Sequence, residues 1–124
     1  MAYAVHNHAV SLDSPVEINF DVSGYTLTGG MSAHVRINKE DSPQYFRKDL
    51  TINTGTGNVA GSIAFNEATD SPGTVAYNKL GVGSHAYAIN IVGGLGQTLI
   101  RVQGRFVISP LTGFADTMSS LIET

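Results

Sequence analysis

Val16-Glu17-Ile18-Asn19-Phe20-Asp21-Val22 puts four apolar side chains on one side of an extended chain and three polar ones on the other. A period of two belongs to a β-strand with one buried face, because successive side chains of a strand point to opposite faces. The pattern recurs. Ala33, Val35 and Ile37 alternate with His34, Arg36 and Asn38; Val59, Ile63 and Phe65 share a face with Gly61 between them. Tyr87, Ile89 and Ile91 alternate with Ala86, Ala88 and Asn90, and Ile100, Val102, Phe106 and Ile108 with Arg101, Gln103 and Arg105. Gly104 interrupts that last row, where it allows a bulge or close packing. Shorter candidates at 4–10 and 47–52 bring the count to seven strands.

Turn chemistry separates them: Ser23-Gly24, Gly29-Gly30, Asp41-Ser42-Pro43, Thr54-Gly55-Thr56-Gly57-Asn58, Asp70-Ser71-Pro72-Gly73 and Gly93-Gly94-Leu95-Gly96. Seven short alternating strands predict an all-β fold, an immunoglobulin-like antiparallel sandwich over 1–109, with a small barrel as the alternative. Tyr87, two residues before buried Ile89, matches loosely the tyrosine that anchors a corner in such sandwiches. After Pro110 the spacing becomes helical. Phe114, Met118, Leu121 and Ile122 stand at i, i+4, i+7 and i+8, with Thr112 as a cap, so 110–124 is predicted to be a short amphipathic tail. A helix this short is marginal alone. It is expected to dock, either on its own domain or on a neighbouring subunit.

The chain has 124 residues, one domain's worth, and no cysteine, so neither disulfides nor thiolate metal sites contribute. No apolar run reaches the ~20 residues of a membrane helix, and the N-terminus lacks the basic-then-apolar pattern of a signal peptide. The net charge is −3, and the seven Lys and Arg are scattered along the sequence. A phosphate-binding domain needs a clustered basic face, so nucleic acid is not an expected partner. Only 14% of residues are charged, so part of the surface is expected to be covered by other protein, or else the chain is simply a β-domain rich in Gly, Ser and Thr.

No constellation reaches catalytic grade. His6 and His8 share a strand face, but a zinc site needs three or four ligands, and they read as exposed or edge residues. His34 and His85 also read as surface or edge residues, without a nucleophile beside them. Glu40-Asp41 and Glu67 with Asp70 lack calcium-loop spacing. Gly55-Thr56-Gly57 and Gly93-Gly94-Leu95-Gly96 lack the lysine and following helix of a phosphate loop. No catalytic, cofactor or metal residue is therefore expected. The aromatic residues Tyr3, Tyr25, Tyr45, Phe46 and Tyr77 fall at the N-terminus, in predicted loops and at strand ends. There they either plug the fold or, for Tyr25, Tyr45 and Tyr77, stack on sugar rings.

Phe20-Asp21-Val22 leading into Gly24-Tyr25-Thr26-Leu27-Thr28-Gly29, then Val35-Arg36-Ile37, Ile63-Ala64-Phe65, Gly83 before Tyr87-Ala88-Ile89, and Leu99-Ile100 ahead of Gly104-Arg105-Phe106-Val107-Ile108 carry a resemblance. The organisation resembles immunoglobulin-like domains of tailed-bacteriophage virion proteins, and is similar to the amino-terminal domain of baseplate upper proteins. It spans roughly residues 10–109 and rests on core and turn positions, which specify fold more than function. The chain departs from that family in its apolar tail and in lacking a long fibre region. The resemblance implies a non-enzymatic virion subunit (capsid decoration, neck, or tail and baseplate accessory) made in the host cytoplasm. It would bind other virion proteins and copies of itself, with Phe114, Met118, Leu121 and Ile122 as interface anchors. A carbohydrate-binding or adhesive module is the alternative.

Overall fold

The computed structural model describes residues 2–12, 14–22, 26–69, 74–110 and 117–118. The chain is all-β. Its strands are β1 (Ala2–Val5), β2 (His8–Ser11), β3 (Val16–Asp21), β4 (Ser32–Asn38), β5 (Tyr45–Asn53), β6 (Asn58–Ile63), β7 (Gly83–Val92), β8 (Thr98–Ser109) and β9 (Thr117–Met118), with a single 3₁₀ turn at Tyr77–Lys79. They form one curled mixed sheet in the order β1-β8-β7-β4-β5-β6-β3-β9, with β2 also on β8. The curl passes through β5. Its first six residues pair with β4, and Thr51–Asn53 pair with β6 on the other side.

Alternation supplies the core. Val16, Ile18 and Phe20, Val35 and Ile37, Ile89 and Ile91, and Ile100, Val102, Phe106 and Ile108 all turn inward and are buried. Phe46, Tyr77, Tyr87 and Phe106 meet edge-on, with ring centroids 5.7 to 6.3 Å apart, a favourable arrangement of ring quadrupoles. The connection from β6 to β7 lies along the β5 edge that β6 leaves open. The Val75 amide donates to the Tyr45 carbonyl, and the Arg47 amide donates to Thr69 Oγ1. Covering an edge in this way prevents pairing with another chain.

The N-terminal segment crosses β8 in an unusual manner. β1 runs parallel to residues 100–103 of β8 and β2 parallel to residues 106–109, both in the same register. Between them the ladder is interrupted but not shifted. The His6 amide donates to the Gln103 carbonyl, the buried Tyr87 hydroxyl donates to the His6 carbonyl at 2.7 Å, and the Arg105 amide donates to Asn7 Oδ1 at 3.0 Å. The pinch requires Gly104, because a Cβ there would lie 2.1 Å from the His6 oxygen.

Several expectations change. The strands do not part into two separate sheets, because β5 is long enough to serve both ends of the curl. The segment 4–10 forms two strands. Phe65 lies beyond β6 and is 41% exposed, off the core face assigned to it. The helical tail is not seen at Met118: Thr117 and Met118 pair in parallel with Glu17 and Ile18. The open edge of β3 offers backbone partners that a short helix would leave unused. Phe114, Leu121 and Ile122 lie outside the described residues.

Gly104→Ala should lower unfolding stability by about 3 kcal/mol, since backbone atoms must move to admit the methyl. Tyr87→Phe should cost about 1–2 kcal/mol by leaving the His6 carbonyl unpaired. Urea titration of both variants against the parent measures these losses.

Candidate functional site: an arginine-walled trough on the outer sheet face

Alternation that buries one face of β4, β5, β7 and β8 sends every second residue to the opposite face. The register then lines these residues up in cross-strand rows. Tyr45, Asn38, Ala86 and Arg105 form one row; Arg47, Arg36, Ala88 and Gln103 the next; Asp49, His34, Asn90 and Arg101 the third. All four arginines of the chain therefore stand on one face, although they are spread from 36 to 105 in sequence. The basic residues that look scattered along the chain are gathered by strand order. Asp49 is the only carboxylate among these outward positions, and it pairs with Arg47 at 3.3 Å.

β7 contributes only Ala86 and Ala88 to the first two rows, while its neighbours contribute long polar side chains. The result is a trough of about 480 Å³, floored by Ala86, Ala88 and Gly104 and walled by Arg36, Asn38, Gln103 and Arg105. The walls stand on strands two apart, about 10 Å from each other at backbone level. The third row lies beyond this lining, with Asn90 on β7. Asn90 Oδ1 accepts from Arg101 Nε at 2.8 Å, which turns its Nδ2 toward His34 Nε2 at 3.4 Å.

The guanidinium groups are held in a common way. Arg36 Nε donates to Asn38 Oδ1 at 2.8 Å, and Arg105 Nε to Ser84 Oγ at 3.0 Å, with Arg105 Nη2 on the Ser84 carbonyl at 3.2 Å. Arg101 uses the Asn90 oxygen already described. Arg36 also lies over the Tyr45 ring, its Cζ 3.8 Å from the centroid. Each group is fixed by neutral oxygens. Among the described residues none of these three arginines has a carboxylate partner. The His34 imidazole lies below its ordinary pKa of 6.5, first through burial and then through the positive charge of Arg47.

The residues singled out in the sequence are distributed differently. Tyr45 stands on β5 behind the β4 wall of the trough, with Arg36 over its ring. Tyr77 does not stack on anything outside: it is 1% exposed and packs against Phe46 and Phe106. Tyr25 lies outside the described residues. His8 and His85 are not surface residues. His8 is buried beside Phe106, and His85 bridges two loops, accepting from the Glu40 amide at Nδ1 (3.0 Å) and donating from Nε2 to the Gly81 carbonyl (2.9 Å). No group of three or more metal-ligating side chains occurs among the described residues. No helix among them is long and apolar enough to cross a membrane. The sequence matches no protein-family model and no curated protein.

The Tyr77 hydroxyl is buried without a hydrogen-bond partner, so Tyr77→Phe should leave stability unchanged or raise it in a thermal melt. For His34 the unfolded chain takes up a proton near pH 6.5 and the folded chain only at lower pH. Stability should therefore fall as pH drops from about 6.5 through the folded-state value. The slope between pH 7 and 5 should be shallower in His34→Gln, as read by urea unfolding at each pH.

Proposed function

We propose that the protein is a non-enzymatic structural subunit that docks on other proteins through the outer face of β4, β5, β7 and β8, within the virion of a tailed bacteriophage. The arginine trough carries the docking part of this reading. Side chains fixed before binding lose little further freedom on binding, and arginine is enriched where interfaces concentrate their energy. The virion part is supported by the sequence resemblance set out above. It also agrees with the pairing of β3 with β6, of β7 with both β4 and β8, and of β1 and β2 in parallel with β8, which we read as an immunoglobulin-like order closed by a shared β5. Phe114, Met118, Leu121 and Ile122 remain proposed as a second contact, made by the tail.

A carbohydrate-binding module is the second reading, favoured by the partly exposed Tyr45 beside Asn38 and Arg36 on the β4 side of the trough. Mass spectrometry of gradient-purified particles from the phage that encodes the chain separates the two. Our reading expects the protein in fixed stoichiometry with the major structural proteins. Complete particles that lack it would overturn the virion assignment.

A further inference from the structure

The curl turns two unlike faces to solvent. On the outside of β4, β5, β7 and β8 stand four arginines and one carboxylate, Asp49. On the outside of β3 and β6 stand Glu17, Asn19, Asp21, Asn58, Ala60 and Ser62, with two carboxylates and no cation. Glu17 and Asp21 are exposed, as are Arg36 and Arg105 on the other face. Both halves of the curl bury their inner sides in one core, so their outer faces look away from each other. No copy can bring its own acids to its own arginine face.

Like faces repel when one is laid on another, and unlike faces attract. Charge therefore favours one pairing of copies, the arginine face of one on the β3–β6 face of the next. The net charge of −3 acts on every approach of two copies alike, so it does not choose among faces, and salt screens it beyond ~8 Å at physiological ionic strength. The groups are set for such a contact. Arg36 and Arg105 are held at Nε by the neutral oxygens of Asn38 and Ser84, which leaves their charge uncompensated. Asp21 is held at Oδ1 by Asn58, and among the described residues neither Glu17 nor Asp21 has an ion-pair partner. Guanidinium and carboxylate form the strongest of the charge-assisted contacts open to these side chains. β9 borders the acidic face, with Thr117 opposite Glu17. This part of the tail, proposed above as a second contact, thus adjoins the same face.

We infer that the protein binds a second copy of itself head to tail, with Arg36 and Arg105 of one copy against Glu17 and Asp21 of the next. The inference rests on the docking reading above and names the partner. A contact between different faces of identical chains is heterologous. It leaves one arginine face and one acidic face open at the two ends, so it continues into a ring or an open filament and does not stop at two chains. Each contact is weak alone and gains strength where copies are held side by side.

The test is sedimentation equilibrium of the full chain from micromolar to millimolar concentration. The mean mass should rise with concentration past that of two chains. Arg36→Gln/Arg105→Gln removes one face and Glu17→Gln/Asp21→Asn the other, and each double variant should associate about tenfold more weakly, a loss of ~1.4 kcal/mol. Mixed in equal amounts, the two variants keep one intact face each. The mixture should therefore regain the parent's affinity and stop at two chains. Melting temperatures are checked against the parent, and where a double variant melts lower, Arg105→Gln and Glu17→Gln take the place of the pair in the same scheme. A parent that stays monomeric, a parent whose mass levels off at two chains, variants that associate as the parent does, or a mixture no heavier than its separate components would each overturn the inference. The particle measurement is independent of it. A chain present in particles but monomeric alone leaves the virion reading standing without the self-contact. A chain that assembles head to tail but is absent from particles leaves the self-contact standing alone.

Discussion

The hydrogen bond from the Tyr87 hydroxyl to the His6 carbonyl, passing the bare backbone of Gly104, fixes the N-terminal segment against β8. Without the N-terminal segment β8 would be an edge strand of twelve residues with a row of unpaired amides and carbonyls, the kind of edge that promotes aggregation. With it β8 becomes an interior strand, paired on one side with β7 and on the other with β1 and β2. The cost is one interruption of the ladder, where a phenol serves the His6 carbonyl and the Asn7 side chain serves the Arg105 amide. Burial holds the Tyr87 phenol well above its ordinary pKa, so it remains a donor across the physiological range. The same pinch sets Asn7 beside Arg105 at the rim of the trough. Fold and candidate site therefore share one constraint.

Alternation made the strands legible. A residue such as Ile18 or Ile89 has only one way to be buried in an extended chain, so β3, β4, β7 and β8 follow from local pattern. Strand order does not. Nothing in the residues around Arg36 says that β7, fifty positions on, will lie beside it, or that β8 will bring Arg105 beside Ala86 and Arg101 beside Asn90. Each arginine alone reads as an ordinary outward residue. The signal in the sequence was that all four occupy outward phases while Ala86 and Ala88 occupy the outward phase of β7, and it acquires meaning only with the register. The buried histidines were missed for a related reason. His8 and His85 sit on the inward phase, where an imidazole is uncommon, and His85 is accepted there because loop backbone meets both ring nitrogens. The tail was misread because helical spacing in a short segment competes with an unpaired strand edge, and the edge wins at Thr117 and Met118.

Charge is divided between the two ends of the curl. The outward positions of β3 carry Glu17, Asn19 and Asp21, and those of β6 carry Asn58, Ala60 and Ser62, with no cation among them. There Asn58 Nδ2 donates to Asn19 Oδ1 at 2.7 Å and to Asp21 Oδ1 at 3.1 Å, so Asp21 is held by an amide. A protein with only 17 charged residues, seven basic and ten acidic, has few to distribute. A mixed surface would satisfy solubility, and cross-strand pairs of opposite charge would add a few tenths of a kcal/mol each. On the outer face of β4, β5, β7 and β8 the one carboxylate of the three rows, Asp49, pairs with Arg47, and the other three arginines are held by neutral oxygens.

That choice bears on what the face is for. Arg36 and Arg47 are directly opposed across β4 and β5, an arrangement that disfavours the folded state when the charges are alike. A glutamate at either position would relieve the repulsion and would fit the strand equally well. Arg101 and Arg105 could likewise be matched by acids at Asn90 and Ser84, the groups that now hold them with neutral oxygens. Amides and hydroxyls at those sites fix the direction of a guanidinium without cancelling its charge, so the field at the trough stays positive and its geometry stays narrow. Folding alone gives no reason to prefer that combination. A carboxylate arriving from outside would meet donors already aligned and charge not yet compensated.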